Sequence, residues 1–161
     1  MLDQACVLIV EDGSEYLDNL RRFVPGPRYL QARSGAQASR TLHEEHVDLI
    51  YLDMRFDRIP LADLLGDHGA LTHDFGGDAD RAWSHLQRNQ GLYILDSLRQ
   101  AGFDALPVIL AYDFGPEPQR FANLRAVYPR LSWVGDAVTA EEIRTIMTTA
   151  LAEPRDQGAP A

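Results

Sequence analysis

Lysine is missing from this chain: all 15 basic residues are arginine, set against 24 acidic ones, for a formal charge of −9 over 161 residues. A surface of that sign repels polyphosphate, which excludes sequence-independent nucleic-acid tracking and leaves a basic protein or a cation as the expected partner. Cysteine is almost absent as well. Cys6 stands alone, so neither a disulfide framework nor a two-thiol redox centre can form, and its place in an apolar run reads as a buried thiol in a reducing compartment. No apolar stretch reaches the roughly 20 residues of a bilayer span, and the N-terminus lacks the basic-then-apolar pattern of an export signal. The reading is a cytoplasmic protein with no membrane partner.

What is present suffices for one core. At 45% hydrophobic content the chain is close to the usual size of a single domain, expected over residues 1–152, with a Pro-, Ala- and Gly-rich tail from Glu153 to Ala161 that has nothing to bury and should fray. Strand-like runs at 6–10, 28–32, 48–53, 106–111 and 131–134 alternate with stretches of helical period, and the first, third and fourth are apolar nearly throughout, as buried parallel strands are. Ser14 is positioned to cap a helix over 15–24 before Pro25, another runs from Ala36 to Glu45 after Gly35, and a third runs from Gly91 to Ala101 and stops at Gly102. The last, from Thr139 to Leu151, opens with a Thr139/Glu142 capping box and carries Ile143, Ile146, Met147 and Ala150 on one stripe. Short parallel strands with right-handed helical crossovers give an α/β, doubly wound open sheet, whose function collects at the carboxyl ends of the central strands. Glu11, Asp12 and Asp53 lie at such ends. Glu11 and Asp12 have two uses there: an acidic pocket shared with Asp53, or simple capping of the first helix.

In combination these pieces resemble the receiver domain of two-component response regulators over nearly the whole chain. Val7 to Asp12 looks like the first strand with its acidic pair, Ala32 to Ala38 like the second strand entering its helix, Asp48 to Met54 like the third strand with its phosphoacceptor, and Pro107 to Asp113 like the fourth strand and its exit. The resemblance implies a flavodoxin-like (βα)5 sheet of order 2-1-3-4-5. It makes Asp53 the phosphoacceptor, Glu11 and Asp12 the Mg²⁺-organising acids, and the carbonyl of Arg55 a further metal ligand. Hard oxygen donors around a divalent cation suit that role, because a phosphoryl group beside a carboxylate needs its negative charge offset.

The same alignment exposes departures. The family's small hydroxyl residue falls on Tyr112, its rotating Tyr or Phe on Trp133, and its lysine on Asp136. Replacing an ammonium by a carboxylate inverts the local field, and two unit charges about 4 Å apart interact by roughly 4 kcal/mol at an effective dielectric near 20. These departures resemble those of the pseudo-receivers, interaction modules that do not depend on phosphorylation. Arg55 and Arg58, beside the pocket, could pair with Asp57 or Asp136 or could supply a guanidinium in the lysine's place.

Between the third strand and its next helix the chain inserts residues 56–89, longer than typical connections. His68, His73 and Asp78 admit a metal reading, but their spacing matches no known ligand signature, and a polar lid is the expectation: a short helix over 61–65, a loop from Gly66 to Gly77, and a helical turn or two over 80–88, anchored by Trp83 and Tyr93. The resulting reading is a non-enzymatic, stand-alone pseudo-receiver, monomer or homodimer, that needs no cofactor and binds a signalling protein. It would do so through the insertion or through the face built by the fourth helix, fifth strand and fifth helix. Two rivals stand beside it: a Mg²⁺-dependent phosphoacceptor served by a histidine kinase at Asp53, and a metal-dependent phosphohydrolase. The last lacks both an Asp-x-Asp spacing and a glycine-rich phosphate loop.

Overall fold

In a computed structural model of the chain, the residues described are 2–154; most of the tail expected from Glu153 onward lies outside them. Five parallel strands, β1 (Cys6–Val10), β2 (Arg28–Ala32), β3 (Leu49–Asp53), β4 (Val108–Ala111) and β5 (Leu131–Val134), form one sheet in the order β2-β1-β3-β4-β5. Their period of two sorts side chains onto two cores. Leu8, Val10, Ile50, Leu52 and Leu110 pack on one face, while Val7, Ile9, Leu49, Tyr51 and Ile109 pack on the other. Because both faces are covered, β1, β3 and β4 are buried almost throughout, which is why they read as unbroken apolar runs.

Helices α1 (Glu15–Phe23) and α7 (Ala140–Ala152) cover the second face through Leu17, Leu20, Met147 and Ala150. The first face receives α2 (Gly35–Glu44), α5 (Gln90–Gln100) and α6 (Pro118–Val127). Both expected elements of capping chemistry at 139–142 are present, with Thr139 Oγ1 accepting from the Glu142 amide and Glu142 accepting from the Thr139 amide at 2.6 Å. Ser14 is different: its side chain makes no cap bond to α1. The carboxylate of Glu11 takes that role and reaches the amides of Tyr16 and Leu17 at 3.1 and 2.9 Å.

Residues 56–89 are more helical than the sequence suggests. After a 3₁₀ turn at Leu61–Asp63, the expected loop contains helix α3 (His68–Asp74), followed by α4 (Ala79–Arg88), a full ten residues. Asp67 and Asp78 cap α3 and α4 by accepting from Ala70 and Arg81 amides. Gly76 and Gly77, both at positive φ, turn the chain between them. The pair is fastened to the body through buried Leu86 and through Gln90, which is fully buried and bonds the Leu65 amide and the carbonyls of Leu65 and Leu86. Trp83 stacks on His68 with ring centroids 3.6 Å apart, and Tyr93 meets His85 edge-on. With His68 stacked and Asp78 capping, two of the three residues named for a metal have other work.

Candidate functional site

Strand β3 delivers Asp53 to the carboxyl edge of the sheet, in register with Ala111 of β4, on the side facing α1 and α7. The β5 exit brings Asp136 to the same place, and β4 runs out into Tyr112 and Asp113. Together with Arg55, Arg88 and Tyr16 these residues line a cavity of about 580 Å³. Asp53, Asp136, Tyr112 and Arg55 are thus brought together as the sequence suggests. Glu11 and Asp12 are not among the lining residues.

The reason is competition for their carboxylates. Both oxygens of Glu11, which is 2% exposed, are engaged by the α1 amides. Asp12 Oδ2 accepts from the amides of Asp57 and Arg58 at 2.9 and 2.8 Å and so pins the start of the 56–89 segment. Among the described residues no group of three or more His, Cys, Asp or Glu is placed to hold a metal ion. As arranged, the donor set does not fit the expected Mg²⁺ site at Glu11, Asp12, Asp53 and the Arg55 carbonyl.

Burial dominates the electrostatics of Asp53 and pushes its carboxyl up to about 7; the Arg55 and Met54 amides pull it down, while the charges of Asp12 and Glu11 add to the rise. Arg55 does not relieve it, because its guanidinium pairs with Asp57 at 3.1 Å. Arg58 pairs with Glu15 at 2.5 Å. Neither arginine pairs with Asp136, and Asp136 makes no hydrogen bond or ion pair with another described residue.

Tyr112 is held in place from three sides. Its hydroxyl donates to Glu117 at 2.5 Å, its ring meets Phe114 edge-on with centroids 4.7 Å apart, and Arg120 bonds Glu117 while reaching Asn89 at 2.9 Å. That network ties the β4 exit to α6 and to the α4–α5 junction. Trp133 sits among Phe114 and Phe121, 6.1 and 6.4 Å away, a packed aromatic cluster in which a large ring has neighbours on several sides.

Several residues that shape the cavity carry no sequence signal tied to it. Asp113 could have been found, since it follows a strand end. Arg88 and Asn89 arrive by way of the α4–α5 junction, and nothing local marks them. Gly91 is the most consequential: a Cβ there would lie 2.5 Å from the carbonyl oxygen of Asp53 and 2.8 Å from Met54 Cα. Its amide donates to the Met54 carbonyl at 2.9 Å, so α5 passes directly over the backbone that carries Asp53.

No family model matches the chain, and no curated protein matches it in sequence. Solved structures do match in three dimensions. The receiver domain of NtrX from Brucella abortus superposes with a TM-score of 0.62 at 16% identity, covering 92% of this chain and 99% of that one. A response regulator receiver domain protein from Clostridium thermocellum gives 0.58 at 16% identity, over 92% and 94%. A two-component response regulator from Clostridium difficile gives 0.58 at 14%, over 92% and 96%. With the strand order, the two-faced core and the acidic carboxyl edge already established, the chain has the flavodoxin-like fold of a response regulator receiver domain.

Proposed function

We propose that the protein is a signalling module that uses the receiver fold to bind a partner protein, without relying on aspartyl phosphorylation. The observation that carries this reading is the field around Asp53: a half-buried carboxyl, pushed up to about 7, shares its cavity with Asp113 and Asp136 and has no lysine to balance it. Incoming phosphoryl oxygens would meet the wrong sign of charge. The coupling position is also occupied, because Tyr112 is tied to Glu117 and Arg120 and cannot close on a phosphoryl oxygen without breaking those bonds.

The docking face best suited to a partner lies between β5 and α7. An open cleft of about 760 Å³ there is lined by Trp133, Asp113, Asp136, Glu141 and Glu142. Its aromatic floor and acidic rim suit a basic protein surface. The chain's charge of −9 points to the same kind of partner.

Treatment with acetyl phosphate and Mg²⁺ followed by intact-mass detection tests the central claim. No phosphoryl mass on the wild type is the expected result. A mass gained by the wild type and absent from Asp53→Asn would establish instead the phosphoacceptor reading, which the presence of Arg55 and Arg88 in the same cavity favours. The phosphohydrolase reading draws no support from the donor set, since Glu11 and Asp12, two of the three carboxylates it needs as ligands, accept from backbone amides.

A further inference from the structure

Behind the acidic cavity, on the face covered by α1 and α7, lies a second cavity of about 370 Å³. Its size is that of a small-ligand pocket, in the range of roughly 300–1,000 Å³. Leu20, Val24, Val134 and Ile143 give it apolar walls, and Asp136 stands at its edge.

Three features make it more than a packing fault. Tyr51 lines the cavity and is 2% exposed, so a phenol is built into its wall. Tyr16 lies beside it, with ring centroids 5.4 Å apart and planes at 59°, so two phenols share one end of the pocket. No arginine or histidine lines the cavity, which leaves the unpaired carboxylate of Asp136 as its only charged group. Burial and the neighbouring acids hold both phenols well above the ordinary tyrosine range. They stay neutral, and the pocket's charge is that of Asp136 alone.

We propose that the α1–α7 cavity is a binding site for a small organic ammonium ion with an aromatic or aliphatic body. The apolar body fills the space between Leu20, Val24 and Ile143. The ammonium group sits at Asp136, donates to a phenol oxygen, and is favoured by the electron-rich tyrosine faces. A carboxylate or phosphate ligand is rejected by the same field. The site has a second consequence. Tyr16, Ala111 and Asp136 line both cavities, so a bound ammonium would bring to the carboxyl edge of the sheet an ammonium charge, which a chain without lysine does not supply. This inference stands on the cavity and its lining and does not depend on the docking role proposed above.

The experiment is an amide-resolved NMR titration of the full chain with three isosteric probes: 2-phenylethylammonium, 2-phenylethanol and phenylacetate. The expected result is saturable shifts at Gly135, Asp136 and Ala140 with the ammonium, at least about fivefold weaker binding of the alcohol, and no saturation with phenylacetate. Asp136→Asn should weaken the ammonium about fivefold and leave the alcohol unchanged. Tyr51→Phe, which keeps the ring, should weaken it by a similar factor. Equal affinity for ammonium and phenylacetate, or no saturable shift with any probe, would overturn the proposal. The probe series uses the wild-type chain, so a variant that folds poorly does not blunt the test.

Discussion

The carboxyl of Asp53 gives this protein a pH dependence whose sign can be worked out. Its pKa lies near 7 in the fold and about 4 in the unfolded chain. Between those values the native state holds a proton that the unfolded state releases. Stability from this group is therefore present below about pH 4 and is lost as pH rises towards 7. Urea denaturation at pH 4 and pH 8 should show Asp53→Asn gaining about 1–3 kcal/mol relative to the wild type at pH 8, and little at pH 4. An equal effect at both pH values would mean that Asp53 does not titrate in this window. Glu11 makes the contrasting case. Glu11→Ala removes both acceptors from the buried α1 amides and should cost about 2 kcal/mol by the same measurement, while Glu11→Gln, which keeps one acceptor oxygen, should cost less. The identity of these two acids was legible in the sequence. The partners of the neighbouring Asp12 were not, because the amides that claim it come from residues 57 and 58, and nothing in the first strand announces where they land.

At the level of elements, legibility followed burial. The five strands stand out because they are covered on both faces or, for β2 and β5, partly so, and the cost of burying anything polar there keeps their sequences apolar. Helices α3 and α6 bury no residue fully, so neither carries an apolar stripe of helical period, and the first of them was expected to be a loop. Their signals are at the ends: Asp67 before α3, the Gly76–Gly77 turn after it, and Pro118 at the first turn of α6. Two substitutions test how the 56–89 segment is attached. Gly91→Ala forces α5 away from the Asp53 backbone and should cost about 2–4 kcal/mol, read from the denaturation midpoint. Gln90→Leu keeps the volume but abandons the amide of Leu65, so hydrogen exchange there should accelerate while the β1 and β3 amides keep their protection.

For the whole molecule, the sheet order brings the ends of β3, β4 and β5 together, and three aspartates, two tyrosines and two arginines stand around one cavity there. A receiver-type fold needs no more than this to present a charged edge. What that edge does depends on how the three aspartates and two arginines share it, with no lysine among them. The stack of His68 on Trp83 has one more consequence. The chain has only two tryptophans: Trp83 sits in the α3–α4 hairpin, and Trp133 sits in β5. The hairpin and the sheet thus each contain a fluorophore of their own, one stacked on an imidazole and the other set among phenylalanines. With single-tryptophan variants, peeling of the hairpin and melting of the sheet become two separate colours of the same experiment, with no dye attached.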